Sequence, residues 1–289
     1  MVFSSFRVSR RSLEIGTAMI ALVSLAIGAH AALNKHLQSS KPVAARFDSQ
    51  ADQPGRVALV IGNGHYPDAN APLTQSINDA RAVSRALRSN GFDVDMVEDA
   101  SRDDITRAVD RLTAKVSPET VVMLFFGGYG VQAGRESYML PVDAAIWKES
   151  DVRREGVSVE SVLAALSERG AQAKIVVLDA ARRNPYERRF RGYSHGLAPI
   201  SAPDNALILS SAAPGRVVDE PNGEHSVLVS ELLANLNSAD DSAEALFART
   251  RSAVSQASGG EQVPSVSSSL IGNISLGASR EAMATRAGS

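Results

Sequence analysis

The sequence predicts an α/β fold in which a mostly parallel sheet is covered by helices on both faces. Residues 57–61, 121–126 and 174–178 are nearly continuous apolar runs, which is typical of strands buried on both sides. Segments with apolar residues at helical spacing lie between them. This alternation favours parallel strands joined by right-handed crossovers. A chain of 289 residues with 44% hydrophobic content can bury the core that such a sheet needs.

The individual elements follow from local patterns. The first strand ends in the turn Gly62-Asn63-Gly64. The second strand alternates polar and apolar residues, and the second helix follows it. Gly91 ends the first helix as a C-cap glycine would. In chain order we predict strands over 57–61, 92–97, 121–126, 174–178 and 206–209, and helices over 78–88, 103–116, 157–166, 227–236 and 243–254.

Three distinctive loops follow predicted core strands. They cover residues 62–64, 127–130 and 179–185. In open α/β sheets, ligands bind beyond the carboxyl ends of the strands, so these loops are predicted to share one rim.

The N-terminus has the order of a secretory signal. Three arginines precede an apolar stretch over 15–28, and Ala-His-Ala follows as a cleavage-like pattern. The alternative is an uncleaved membrane anchor over 15–33. Both alternatives export the rest of the chain, either into the periplasm or onto the periplasmic side of the inner membrane. We therefore divide the chain into a signal or anchor (1–33), a linker (34–55), a globular domain (56–276) and a flexible tail (277–289).

Composition and motifs exclude several classes of function. A net charge of -2 and 5% aromatic residues argue against nucleic acid as a partner. The glycine loop at 62–64 lacks both a dinucleotide fingerprint and a phosphate-binding lysine. The acidic cluster at 93–104 lacks the pattern of a calcium loop, and we interpret it as a solvated strand edge and a helix start. The histidines lack the spacing of metal ligands. The sequence contains no serine-hydrolase nucleophile elbow. We predict neither cofactor nor metal.

Five motifs in order carry a family resemblance: "RVALVIGNGHY", "NDARAVSRALRSNGFDV", "FFGGYGVQAGRESYMLPVDA", "VLDAARRNPY" and "EHSVLVSELL". Residues 56–236 thereby resemble the caspase-like cysteine peptidases of bacteria, relatives of metacaspases and caspases. "QVPSVSSSL" resembles the closing segment of that family. The resemblance implies a caspase-like three-layer sandwich.

The same resemblance indicates that the catalytic pair is missing. Tyr129 stands where the family has its catalytic histidine, and Ala181 stands where it has its nucleophilic cysteine. A methyl group cannot attack a carbonyl, and a phenol is a poor base at neutral pH. We therefore predict a pseudo-peptidase with no intact catalytic residue. Two alternatives stay open, namely residual endopeptidase activity after Arg or Lys, and an inert interaction scaffold.

The substrate pocket is better preserved in this resemblance. Asp79 and Asp179 match the acids that form a pocket for a basic side chain in metacaspase-like members, which implies a protein or peptide partner with Arg or Lys. Gly128 and Gly130 are predicted to line the same substrate site. The competing interpretations are a helix-start acid for Asp79 and a carboxylate bound by loop amides for Asp179. Arg183 departs from the family pattern and is a candidate for closing the pocket with a salt bridge. The carboxylates of Asp143 and Asp151 match a metacaspase calcium site only in part.

Overall fold

The fold is known from a computed structural model, which describes residues 55–67, 72–182, 196–218, 223–236 and 242–277. The predicted signal or anchor, nearly all of the linker and nearly all of the tail lie outside the described residues, as does Arg183. Among the described helices, none combines the length and the apolar character needed to cross a bilayer.

A six-stranded sheet forms the centre of the domain, with strand order β2-β1-β3-β7-β8-β9. The first five strands of that order are mutually parallel, and β9 is antiparallel to β8. A small second sheet has the order β4-β5-β6. The strands are β1 Arg56–Gly62, β2 Asp93–Glu98, β3 Val121–Gly127, β4 Gly130–Ala133, β5 Glu136–Met139, β6 Val157–Ser158, β7 Ala173–Asp179, β8 Ala206–Ser210 and β9 Ser265–Ser268.

Six helices accompany the described strands: α1 Thr74–Ser89, α2 Arg102–Ala114, α3 Glu149–Glu155, α4 Val159–Glu168, α5 Val227–Leu236 and α6 Ala243–Ala257. Successive residues of the central strands point to opposite faces, so Phe125 joins one core and Phe126 the other. The first core packs α1, α5 and α6 on the sheet, and the second packs α2 and α4. These three layers confirm the predicted fold class.

The chain departs from the predicted elements where polar residues are buried or segments are short. Helix α1 begins at Thr74, four residues before its predicted start. The prediction missed this turn because Gln75 and Ser76 are buried there beside a single apolar residue, Ile77. A polar first turn gives no hydrophobic periodicity. The strands of the small sheet, helix α3 and strand β9 were not predicted, since segments of two to seven residues carry little pattern.

The acidic cluster at 93–104 is explained by ion pairs along the β2 edge. Asp93 lies 2.6 Å from Lys115, and Asp95 lies 2.8 Å from Arg111. Both basic residues lie at the C-terminal end of α2. Ser101 and Asp104 form a capping box at the start of α2. The interpretation of this cluster as a strand edge and a helix start therefore agrees with the structure.

Candidate functional site

The loops after β3 and β7 are joined directly at the rim of the sheet. In the parallel register Gly127 is opposite Asp179, so both strands end at the same level. Beyond that level the amide of Gly128 donates to the carbonyl of Asp179 at 3.3 Å, and the amide of Gly130 donates to the carbonyl of Ala180 at 2.9 Å. Tyr129 lies between these two glycines, so the structure brings it beside the loop that contains Ala181.

Tyr129 is a packed side chain in a small apolar cluster. Only 7% of its surface is exposed, and its ring meets that of Tyr66 edge to face with centroids 4.8 Å apart. The hydroxyl of Tyr66 accepts the amide of Tyr129 at 3.0 Å and donates to the carbonyl of Leu140 at 3.0 Å. Tyr66 therefore holds both the backbone of this loop and the ring of Tyr129.

Ala181 is covered in the described conformation, with 1% of its surface exposed. Its amide donates to the hydroxyl of Ser211 at 3.3 Å, and its carbonyl accepts the amide of Val218 at 2.7 Å. The Ala181 backbone is thus tied to the segment that follows β8.

Gly128 and Gly130 are needed for close packing of the two loops. A Cβ at Gly128 would lie 2.6 Å from the Tyr66 hydroxyl, and one at Gly130 would lie 2.6 Å from Leu197 and 2.9 Å from the Ala180 carbonyl. Both amides already bond to the β7 loop. In this conformation the two glycines allow the loops after β3 and β7 to pack closely against each other.

Asp79 lies in the second turn of α1 and is fully buried. Its carboxylate accepts the amide of Ser226 at 3.2 Å and lies 2.8 Å from Nδ1 of His225. Ser226 immediately precedes α5 and its hydroxyl accepts the Val229 amide at 3.1 Å, so Asp79 holds the residue that begins a neighbouring helix. The helix-start interpretation of Asp79 is therefore wrong, because α1 begins earlier than its apolar pattern indicated.

The pKa of Asp79 is strongly perturbed. Burial in the sheet–helix layer raises it most, the nearby charge of Asp179 raises it further, and the bonds from Ser226 and His225 lower it, leaving a pKa of about 7. The charge of Asp179 is therefore close enough to oppose ionisation of Asp79.

Asp179 ends β7 with 1% of its surface exposed. Its Oδ2 accepts from Nη2 of Arg182 at 3.2 Å, and its Oδ1 has no hydrogen-bond partner among the residues that the structure describes. None of its recorded bonds comes from a loop amide, so the competing interpretation of a carboxylate held by loop amides has no support here. A buried acceptor without a partner carries an energetic cost, and a bound donor would remove that cost.

Helix α1 is brought close to the rim by glycines in β1 and β3. A Cβ at Gly62 would lie 2.6 Å from Ala80 and 2.8 Å from the carbonyl of Ser76, and one at Gly127 would lie 3.4 Å from the same carbonyl. The helix that carries Asp79 therefore packs on the ends of β1 and β3, and Asp179 lies on the neighbouring strand, opposite Gly127.

Sequence reasoning missed two residues of this site, Arg182 and His225. Arg182 pairs with Asp179. The salt bridge predicted for its neighbour Arg183 lies outside the described residues. His225 was missed because it follows Asp79 by 146 residues and only the tertiary fold joins them. The Arg182 side chain has 3% of its surface exposed, which is unusual for arginine, and Asp179 is one of its partners.

The carboxylates of Asp143 and Asp151 have local structural roles. Asp143 accepts the amide of Arg102 at 3.0 Å. Asp151 accepts the amides of Trp147 and Lys148, both at 3.1 Å, at the start of α3. The search of the described residues finds no group of three or more His, Cys, Asp or Glu side chains that could hold a metal ion.

The fold and rim define an α/β sandwich whose two central strands carry the candidate site on their carboxyl ends. The family model described as the caspase domain matches residues 55–274. This span includes both loops and both aspartates, and the chain belongs to the caspase-like cysteine peptidase family.

Two curated proteins illustrate how distant the chain's relatives are. The Mucosa-associated lymphoid tissue lymphoma translocation protein 1 of Homo sapiens is 29% identical over 148 residues, which is 48% of this chain and 17% of that protein. Its homolog from Mus musculus is 30% identical over 137 residues, which is 46% of this chain and 16% of the homolog. The chain therefore spans less than a fifth of the length of these relatives.

Proposed function

We propose that the domain binds a protein or peptide segment bearing Arg or Lys and does not cleave it. The observation that carries this proposal is the pair of buried carboxylates, Asp79 and Asp179, whose charges repel at the carboxyl end of the sheet. A cationic side chain would relieve that repulsion and supply a donor for Oδ1 of Asp179.

The absence of cleavage is inferred from the side chains beside the pocket. Acyl transfer in this family needs an activated thiolate and a base. The chain contains no cysteine, and Ala181 and Tyr129 stand where the resemblance expects the nucleophile and the base. A phenol with a pKa near 10 accepts protons poorly at neutral pH. The edge-to-face packing of Tyr129 on Tyr66 supports a volume-filling role for this ring.

We also propose that the domain lies outside the cytoplasm. This proposal rests on residues 1–33, in which three arginines precede an apolar stretch in the order of an export signal or anchor. A domain without cysteines suits an oxidising compartment.

Calorimetric titration with an Arg-containing peptide tests the binding function. We expect Asp179→Asn to weaken binding about tenfold or more, because it removes a charge from a buried site while keeping the side-chain shape. The matched control is Asp110→Asn, an equal change of charge on the exposed face of α2. A peptide with Gln in place of Arg should bind neither protein.

Equal heats for the wild type and Asp179→Asn would refute the proposed pocket. Equal heats for the Arg and Gln peptides would refute its preference for a cation.

A further inference from the structure

The segment that precedes α5 lies across α1 as a strap, defined here as residues 223–226. The side-chain amide of Gln75 donates to the carbonyl of Gly223 at 3.1 Å, and that of Asn78 donates to the carbonyl of Glu224 at 3.4 Å. Positions 75, 78 and 79 share one helix face, because residues three and four apart are neighbours on a helix surface. The third member of this face is Asp79.

Asp79 is the charged attachment point of the strap. Its Oδ1 lies 2.8 Å from Nδ1 of His225, and the Ser226 amide donates to the same carboxylate. The His225 side chain is 22% exposed, whereas the carboxylate beneath it is fully buried. His225 is therefore the group that stands between solvent and the Asp79 carboxylate on the strap side.

The other aspartate has an internal partner as well. Arg182 pairs with Asp179 at 3.2 Å, and both side chains are buried. Each acid of the pocket is thus already in contact with a basic side chain of the chain itself. A guest cation has to compete with these contacts.

We propose that the strap is an autoinhibitory element in which His225 occupies the Asp79 half of the pocket, so that a basic guest binds only when the strap is displaced. This inference rests on the proposed function, because it concerns the same pair of aspartates. His225 is the competitor rather than Arg182, since the imidazole reaches solvent and its four-residue strap is held by side-chain contacts of one helix.

Competition of this kind lowers the apparent affinity of the guest. A protein whose binding-competent form is only a fraction of the population binds with an affinity reduced by that fraction. Removing the imidazole removes the competitor while both aspartates stay in place. His225→Ala should therefore bind the Arg peptide more tightly than the wild type, by about tenfold if one molecule in ten is open.

Two variants of His225 test the inference by calorimetry with the same Arg peptide. His225→Ala removes the contact to Asp79, whereas His225→Asn keeps a side-chain donor near the position of Nδ1. We expect tighter binding by the Ala variant and an affinity closer to that of the wild type for the Asn variant. Thermal unfolding of both variants shows whether α5 still docks.

Backbone hydrogen exchange gives a readout that does not need the peptide. The Ser226 amide should exchange several-fold faster in His225→Ala than in the wild type, because the strap loses the His225 contact to Asp79 beside this amide. Addition of the Arg peptide to the wild type should accelerate the same amide. Unchanged Ser226 exchange in both experiments would overturn the autoinhibitory role of the strap.

The possible failures are distinguishable. Equal or weaker binding by His225→Ala, together with loss of binding in Asp179→Asn, overturns the strap and leaves the binding function intact. No binding by the wild type, His225→Ala or His225→Asn overturns the binding function and the strap's role together. Binding by His225→Ala alone supports both, with a wild-type pocket that is closed.

Discussion

Asp79 is the residue at which burial and charge conflict most. It is fully buried, faces the charge of Asp179, and holds the amide of Ser226 at the start of α5. A carboxylate in this position is costly when ionised, and that cost raises its pKa. Asp79 holds the start of α5 and also belongs to the proposed pocket. An isosteric substitution is therefore more informative than truncation.

The raised pKa of Asp79 predicts how stability depends on pH. The folded state keeps a proton up to about pH 7 that the unfolded state releases near 3.8, so this group contributes stability that is present below about pH 4 and lost as the pH rises to 7. Asp79→Asn should remove this loss, which is on the order of 1–4 kcal/mol because each pKa unit is worth about 1.4 kcal/mol.

Urea unfolding of the wild type and Asp79→Asn at several values between pH 4 and pH 8 measures the effect. The variant should gain stability relative to the wild type as the pH increases. The control is Asp110→Asn, which makes the same change of charge on the exposed face of α2. Parallel profiles for Asp79→Asn and the wild type would contradict the perturbed pKa.

At the scale of the element, the contact between α1 and β1 positions Asp79. Gly62 allows the helix to approach the end of the strand, and the same helix carries Asp79 and the polar side chains that hold the strap. Packing of the helix on the strand and the position of Asp79 are therefore coupled.

Gly62→Ala should destabilise the domain by about 1–3 kcal/mol, because a Cβ within 2.6 Å of Ala80 and 2.8 Å of a carbonyl forces the helix outward. Binding of the Arg peptide should weaken as well, since Asp79 moves with the helix. The matched change is Gly55→Ala, whose Cβ meets the Thr120 hydroxyl at an ordinary 3.8 Å and should change stability little. Denaturant midpoints and peptide titration measure both effects; a Gly62→Ala protein as stable as Gly55→Ala would show that the helix yields freely.

At the scale of the whole molecule, two chain segments far apart in sequence meet at the rim. Tyr129 follows β3 and Ala181 follows β7, and the glycine amides on either side of Tyr129 bond to the β7 loop. The fold thus keeps together the two positions at which the resemblance predicts the missing histidine and cysteine.

The double reversion Tyr129→His with Ala181→Cys tests whether the rest of the site still supports chemistry. We expect turnover of a fluorogenic Arg substrate about 100-fold or more above that of the wild type, because a thiolate and a base are restored together. Each single reversion should stay near the background, since the two groups act as a unit.

Adding Asp179→Asn to the double reversion should abolish the gain if the pocket holds the basic side chain. A folded double variant without turnover would show that the geometry around positions 129 and 181 no longer fits the reaction.

Much of the architecture was determined by the sequence alone. Three layers are defined by the apolar runs of β1, β3 and β7 and by the periodic apolar residues of α1, α2, α5 and α6. A strand that is buried on both faces leaves a continuous apolar run in the sequence. The order of the motifs identified the family. The site roles that the same motifs assign to Tyr129, Ala181, Asp79 and Asp179 stay predictions. These are properties of local composition and of spacing along the chain.

The tertiary structure decided which basic side chains contact Asp79 and Asp179. The contact of His225 with Asp79 joins residues 146 positions apart, and the buried pair of Arg182 with Asp179 depends on the environment around the end of β7. The first contact leaves no local pattern, because its partners meet only in the tertiary fold. The second joins residues three positions apart, but its burial cannot be predicted from the sequence, because charged side chains are mostly exposed.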